Sequence, residues 1–163
     1  MSDTKDLSLS MATEPDLPLI LTFIKALAEY EKLADAVVAT EEGLRQSLFG
    51  PRTYAECVIA RFHGEPAGFA LFFHNFSTFL GRPGLYLEDL FVKPEFRGKG
   101  VGRALLQHLA KLAKERNCGR LEWSVLDWNE SAIGFYKSIG AVSLDKWTMF
   151  RLKGDELAGL AGN

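Results

Sequence analysis

Two adjacent carboxylates, Glu88 and Asp89, interrupt the apolar run Leu85–Val92, and a glycine-rich turn, Arg97-Gly98-Lys99-Gly100-Val101-Gly102, follows shortly after. A carboxylate can take a proton from a reacting group. Glycines that open a helix let successive backbone N–H groups converge on an anion, with the helix dipole behind them. Arg97 and Lys99 add positive charge, and an arginine can grip a phosphate with two parallel N–H groups. The turn lacks the Gly-Lys-Ser/Thr of a P-loop, because Gly100 follows Lys99. It also lacks the third glycine of a dinucleotide fingerprint, because position 103 is Arg103. Neighbouring strand residues point to opposite faces. One acid of the pair would therefore enter the core unless a cleft or a β-bulge intervenes.

A third group of candidates lies in Asp127–Lys137, where Asn129 can cap a helix and Tyr136 falls two turns down it. Residue types alone leave Asn129 open to being only a cap and Tyr136 only a packing residue. His63, His74 and His108 are not grouped with acids at metal-ligand spacing, so no metal site is expected.

The elements that must position these residues follow from periodicity. Leu7–Ala12 alternates as a short strand. A helix capped by Thr13 carries Leu17, Ile20, Leu21, Ile24, Leu27 and Ala28 at helical spacing. A shorter helix spans Thr40–Phe49. Tyr54–Phe62 and Pro66–Asn75 read as a hairpin, and Phe76–Gly84, with Gly81, Pro83 and Gly84, reads as a loop. Strand and helix then alternate: Leu85–Lys93, Gly100–Arg116, Arg120–Leu126, Glu130–Ile139 and Ser143–Leu152. Such an order predicts an α/β fold, a mixed, twisted central sheet of about six or seven strands with helices on both faces. The expected organisation is a frayed terminus over 1–6, one domain over 7–152 and a C-terminal tail over 153–163.

The 163 residues are 47% hydrophobic and 25% charged, sufficient for one domain with a sizeable core. Nineteen basic and 21 acidic residues leave a net charge of −2. No global basic field points to nucleic acid, so any bound anion must be held locally. Cys57 and Cys118 lie far apart, which suits free thiols in a reducing compartment, and no apolar run is long enough to span a bilayer. The reading is a cytoplasmic protein without a membrane or nucleic-acid partner.

Together these pieces resemble the Gcn5-related N-acetyltransferase (GNAT) superfamily. Its Arg-x-x-Gly-x-Gly signature stands as Arg97, Gly100 and Gly102, and Asn129 with Phe135-Tyr136 matches its second cofactor segment. The resemblance runs from about Leu7 to Leu152. Tyr86-Leu87-Glu88-Asp89, Val125–Asn129 and Ala28-Glu29-Tyr30-Glu31 are similar to the diamine and thialysine acetyltransferase branch.

The resemblance implies acetyl-CoA as cosubstrate and a small-molecule primary amine as acceptor. Its pyrophosphate would rest on Gly98, Lys99, Gly100, Val101, Gly102 and Arg103, with Arg97 beside them. Its pantetheine arm would pair with Leu90, Phe91 and Val92, and Asn129 would hold the arm's far side. Glu88 would be the general base through a water, and Tyr136 the acid that protonates the leaving thiolate. A strand-bulge amide near Leu90 or Phe91 would stabilise the developing oxyanion. Tyr30, Glu31 and Asp89 would line the acceptor site, their acids suiting a cation. Related members also imply a homodimer. The segment Phe76–Gly84 departs from the polyamine-acetylating members: Ser77 and Phe79 stand nearest the places of an Asp and a Trp there. That favours a lysine-like amine over a long polyamine. Two alternatives remain open: a protein lysine or N-terminal acetyltransferase, and a non-catalytic acyl-CoA-binding module.

Overall fold

A computed structural model describes residues 6–162 of the chain. The chain divides into two compact units, Met1–Ser124 and Val125–Asn163. Nearly all of the expected frayed segment 1–6 lies outside the described residues. Asp6 does not: its carbonyl accepts from the His63 N–H at 2.8 Å.

The first unit holds strands β1 (Leu7–Met11), β2 (Glu56–Phe62), β3 (Glu65–Ser77), β4 (Arg82–Val92) and β5 (Leu121–Trp123), and helices α1 (Leu17–Tyr30), α2 (Glu41–Phe49) and α3 (Val101–Glu115). The five strands form one sheet in sequence order, antiparallel except for the parallel β4–β5 pair. Alternation sorts its two faces. Cys57, Ile59, Phe69 and Phe91 pack against Leu17, Ile20 and Phe23 of α1, with the Phe23 and Phe69 rings stacked 5.2 Å apart. The opposite face carries Leu90 and Val92 toward α3, where a Cβ at Gly102 would sit 3.9 and 3.7 Å from their methyls. Val101, Leu105, Leu106 and Leu109 of α3 are buried. Strands covered on both faces must be apolar on both, which is why Cys57–Ala60 are buried without a break.

Local chemistry explains the boundaries. The Asp16 carboxylate accepts from the Thr13 N–H at 2.9 Å, forming a 3-10 turn that delays α1 to Leu17. Thr40 caps α2, its hydroxyl oxygen accepting from the Gly43 N–H at 3.0 Å.

Two expectations need correction. The sheet of the described residues has five strands, not six or seven, because Ser143–Leu152 forms no strand; the expected strand Arg120–Leu126 is present but shortened to Leu121–Trp123. The segment Phe76–Gly84 is no open loop: β3 runs to Ser77 and β4 begins at Arg82 around a four-residue turn. Gly84 is buried inside β4, where a Cβ would collide with the Asn75 side-chain oxygen. Its glycine serves close approach, not chain breaking. The C-terminal tail contains helix α5 (Gly154–Ala161), which follows α4 (Glu130–Ser138) in the second unit.

Candidate active site

The carboxylate pair sits on a β-bulge. Leu71 of β3 opposes Asp89 and the next residue, Phe72, opposes Leu87, so Glu88 has no cross-strand partner. One extra residue shifts the alternation. Leu87 and Leu90, three apart, both pair with residues of the α3-facing row, Phe72 and Ala70. Asp89 joins Phe91 on the α1-facing side, and Glu88 is exposed. The conflict posed by adjacent acids in an apolar strand is thus resolved without burying both.

The bulge also marks where the sheet opens. Pairing between β4 and β5 runs only from Leu85–Leu121 to Leu87–Trp123. Beyond it, Leu90, Phe91 and Val92 keep their β3 partners on one edge and have no β5 pairing on the other. β5 is fastened at its start: Glu122 accepts from the Asn75 amide at 3.0 Å and lies 2.7 Å from Arg120 Nε. The Tyr86 hydroxyl lies 2.9 Å from that of Ser124.

Asp89 has the most functionally suggestive electrostatics. Burial, then the charges of Glu88 and Glu31, push its carboxyl from 3.8 to about 6. Glu31 caps the C-terminus of α1, and its own carboxyl is held above the ordinary value by burial. The fold therefore brings Glu31 and Glu88 within electrostatic reach of Asp89. Three acids gathered this way favour a cation, whose arrival would relieve their mutual repulsion. The buried Cys57 thiol, pushed up to about 12 by burial and by Asp16 and Asp89, is not a nucleophile at neutral pH.

The glycine turn follows β4 through a 3-10 turn, Pro94–Phe96. Gly98 and Gly100 have φ of +78° and +82°, and a Cβ at either would meet nothing within 4 Å. Left-handed backbone with open space before it is a cradle into which a ligand can come close. Gly100 is the N-cap of α3, and its carbonyl accepts from the Ala104 N–H at 3.0 Å. The amides of the first turn ahead of Ala104 have no intrahelical acceptor. Lys99 Nζ lies 5.0 Å from the Phe62 ring centre, and Arg103 is exposed. Arg97 is more committed than its sequence suggests. Its Nε donates to the Val92 carbonyl at 3.0 Å, and its guanidinium lies 5.0 Å from the Tyr30 ring centre and 5.7 Å from that of Phe91. No local pattern signals that contact, since Tyr30 and Arg97 are joined only by tertiary packing.

In the second unit, Asn129 caps α4, its side-chain oxygen accepting from the Ala132 N–H at 3.3 Å. Tyr136 lies half-buried on the same helix, its ring centre 5.8 Å from that of Phe135. Among the described residues there is no cluster of metal-ligating side chains, and no helix is long and apolar enough to cross a membrane.

A bulged strand parting from its parallel neighbour, an acid on the bulge and a glycine cradle opening the next helix suit an anionic ligand held beside a proton acceptor. Residues 24–141 match the acetyltransferase (GNAT) family. The chain is 41% identical to the thialysine N-epsilon-acetyltransferase of Bos taurus, covering 93% of this chain and 95% of that one. It is 32% identical to an L-ornithine N5-acetyltransferase of Arabidopsis thaliana, over 92% and 86% of the two chains. An integron cassette protein from the mobile metagenome of V. cholerae superposes with a TM-score of 0.80 at 31% identity, over 97% and 99% of the chains. The chain belongs to the GNAT family and is an acetyltransferase.

Proposed function

We propose that the chain transfers the acetyl group of acetyl-CoA to a primary amine of a small cationic molecule, a lysine-like amino acid or short diamine, by direct attack in a ternary complex. The observation that carries the reading is the acid group Glu31, Glu88 and Asp89 beside the open edge of β4. The names of the relatives support it: one acts on thialysine, another on ornithine. The family match spans the boundary between the two units, which supports one N-acetyltransferase domain.

In this reading the amides of Gly98–Arg103, with the charges of Lys99 and Arg103, hold the pyrophosphate. The free edge of Leu90–Val92 takes the pantetheine arm as an added strand, and Asn129 closes its far side. Free lysine-type amines have a pKa of about 10.4 and are protonated at neutral pH, so a base must act first. Glu88 takes the ammonium proton through a water; the amine nitrogen then bonds to the acetyl carbon as the carbon–sulfur bond breaks, and the second proton on that nitrogen leaves to solvent. A bulge amide near Leu90 or Phe91 stabilises the charge on the acetyl oxygen. Tyr136 gives its proton to the departing thiolate. Tyr30, Glu31 and Asp89 receive the cationic acceptor. A second assignment of the base has its own support: the carboxyl of Asp89, raised to about 6, suits proton transfer near neutral pH. We place the protein in the cytoplasm as a homodimer. The free thiols Cys57 and Cys118 suit that compartment, and exposed Trp147, Met149 and Phe150 suit an interface.

Steady-state kinetics with acetyl-CoA and a panel of thialysine, ornithine, spermidine and a lysine peptide tests the reading. Thialysine or ornithine should give the highest kcat/KM. Glu88→Gln and Tyr136→Phe should each lower kcat by about 10²–10⁴ while acetyl-CoA affinity holds. If the peptide is the best acceptor, the small-amine reading is wrong. If Glu88→Gln keeps its rate and Asp89→Asn does not, the base is Asp89.

A further inference from the structure

We propose that Arg97 is a positioning residue for the acceptor site, a strut that ties the cofactor turn to the C-terminal end of α1. The proposal rests on the acceptor assignment given under "Proposed function". Arg97 opens the glycine turn, so the obvious use of its guanidinium is to meet a phosphate. Its contacts point elsewhere. Nε, the donor nearest the backbone, is given to the Val92 carbonyl at 3.0 Å. That bond orients the guanidinium plane, which lies 5.0 Å from the Tyr30 ring centre and 5.7 Å from that of Phe91. One side chain thus bridges the end of β4, the start of the glycine turn and the last residue of α1.

The place of Tyr30 gives this bridge its consequence. The helix ends at Tyr30, Glu31 follows as its C-cap, and Lys32 turns the chain through a left-handed φ of +62°. The position of Glu31 is therefore set by how the final turn of α1 is held, and Arg97 grips that turn from the cofactor side. Glu31 in turn contributes to the field that raises the carboxyl of Asp89. Removing the guanidinium should let the end of α1 drift and spread the acids that receive the cation. A lysine at this position keeps the charge but loses the planar stack and the Nε donor, so it should not restore the function.

The test uses the full chain with acetyl-CoA and thialysine. Arg97→Met and Arg97→Lys should raise the thialysine KM by about fivefold or more, with the acetyl-CoA Kd from calorimetry changing less than about twofold. Tyr30→Leu, which removes the ring the guanidinium lies against, should raise the thialysine KM as Arg97→Met does. The double variant should be no worse than either single one, because both remove the same contact. A rise in acetyl-CoA Kd with an unchanged thialysine KM would make Arg97 a phosphate ligand and overturn the proposal, as would additive losses in the double variant. A second readout is independent of acetylation. In 3-fluorotyrosine-labelled protein, the Tyr30 fluorine resonance, assigned by its loss in Tyr30→Phe, should shift on adding acetyl-CoA and stay still in Arg97→Met. An equal shift in both overturns the strut even if thialysine proves to be no substrate, and wild-type protein that acetylates no amine refutes the acceptor assignment instead.

Discussion

Replacing Asp89 with asparagine should make the protein more stable and less active. Burial and the charges of Glu88 and Glu31 raise this carboxyl from 3.8 to about 6. The rise is about two pKa units at about 1.4 kcal/mol each, so the ionised form weakens the fold by up to about 3 kcal/mol. The sign follows from proton counts. Between pH 3.8 and 6 the folded chain holds a proton that the unfolded chain has released, so stability falls as pH rises through that window. Above about 6 the whole penalty is present, and below 3.8 it vanishes. Asp89→Asn keeps the shape of the protonated acid without the charge. Urea unfolding of the two ligand-free proteins should show a gain of about 1–3 kcal/mol at pH 8 that shrinks toward zero by pH 4. For a chain of this size that is about 2–4 °C in Tm for each kcal/mol. Activity with thialysine should fall in the same variant, since stability is given up at Asp89 to hold a charge the site uses. A gain of equal size at pH 4 and pH 8, or a loss at pH 8, would refute the electrostatic reasoning.

Other perturbations separate the remaining contributions. Gly100→Ala adds a Cβ that meets nothing within 4 Å but forces a side chain to φ +82°; stability should fall by about 1–2 kcal/mol by urea unfolding, with a separate rise in acetyl-CoA Kd by calorimetry. Glu56→Gln breaks the paired bonds from Arg116 at 2.6 and 2.9 Å. Because Arg116 holds the Glu56 carboxyl below its ordinary value, a loss of about 1 kcal/mol should be present at pH 7 and fade as pH falls below 4.5 in denaturation curves. Thr40→Ala removes the acceptor for the Gly43 N–H and should lower stability by about 1 kcal/mol, with kcat unchanged. Light scattering at micromolar concentration should show a dimer; a monomer would refute that assignment and leave the chemistry intact.

The elements near the site were legible to different degrees. Asn129 was readable as a cap because capping is local: a short polar side chain reaches an amide three residues on. The Glu88–Asp89 conflict announced that a cleft or bulge was needed, but only the register against β3 shows that Glu88 is the unpaired residue. Gly84 misled because glycine breaks chains more often than it admits a neighbouring side chain, and Asn75 arrives from another strand. Ser143–Leu152 alternates like a strand yet forms none, since alternation describes a chain's own faces and says nothing of a partner for its backbone.

By itself, then, the sequence determined the α/β class, the glycine cradle and the acids that could act beside it, because each rests on backbone preferences or side-chain chemistry carried within a few residues. Tertiary structure decided the rest: which acid faces α1, how far β5 stays paired with β4, and that Arg97 lies against Tyr30. Those outcomes depend on register and on packing between residues distant along the chain. A one-residue shift in a strand reverses which face every following side chain takes, and no local pattern fixes that shift.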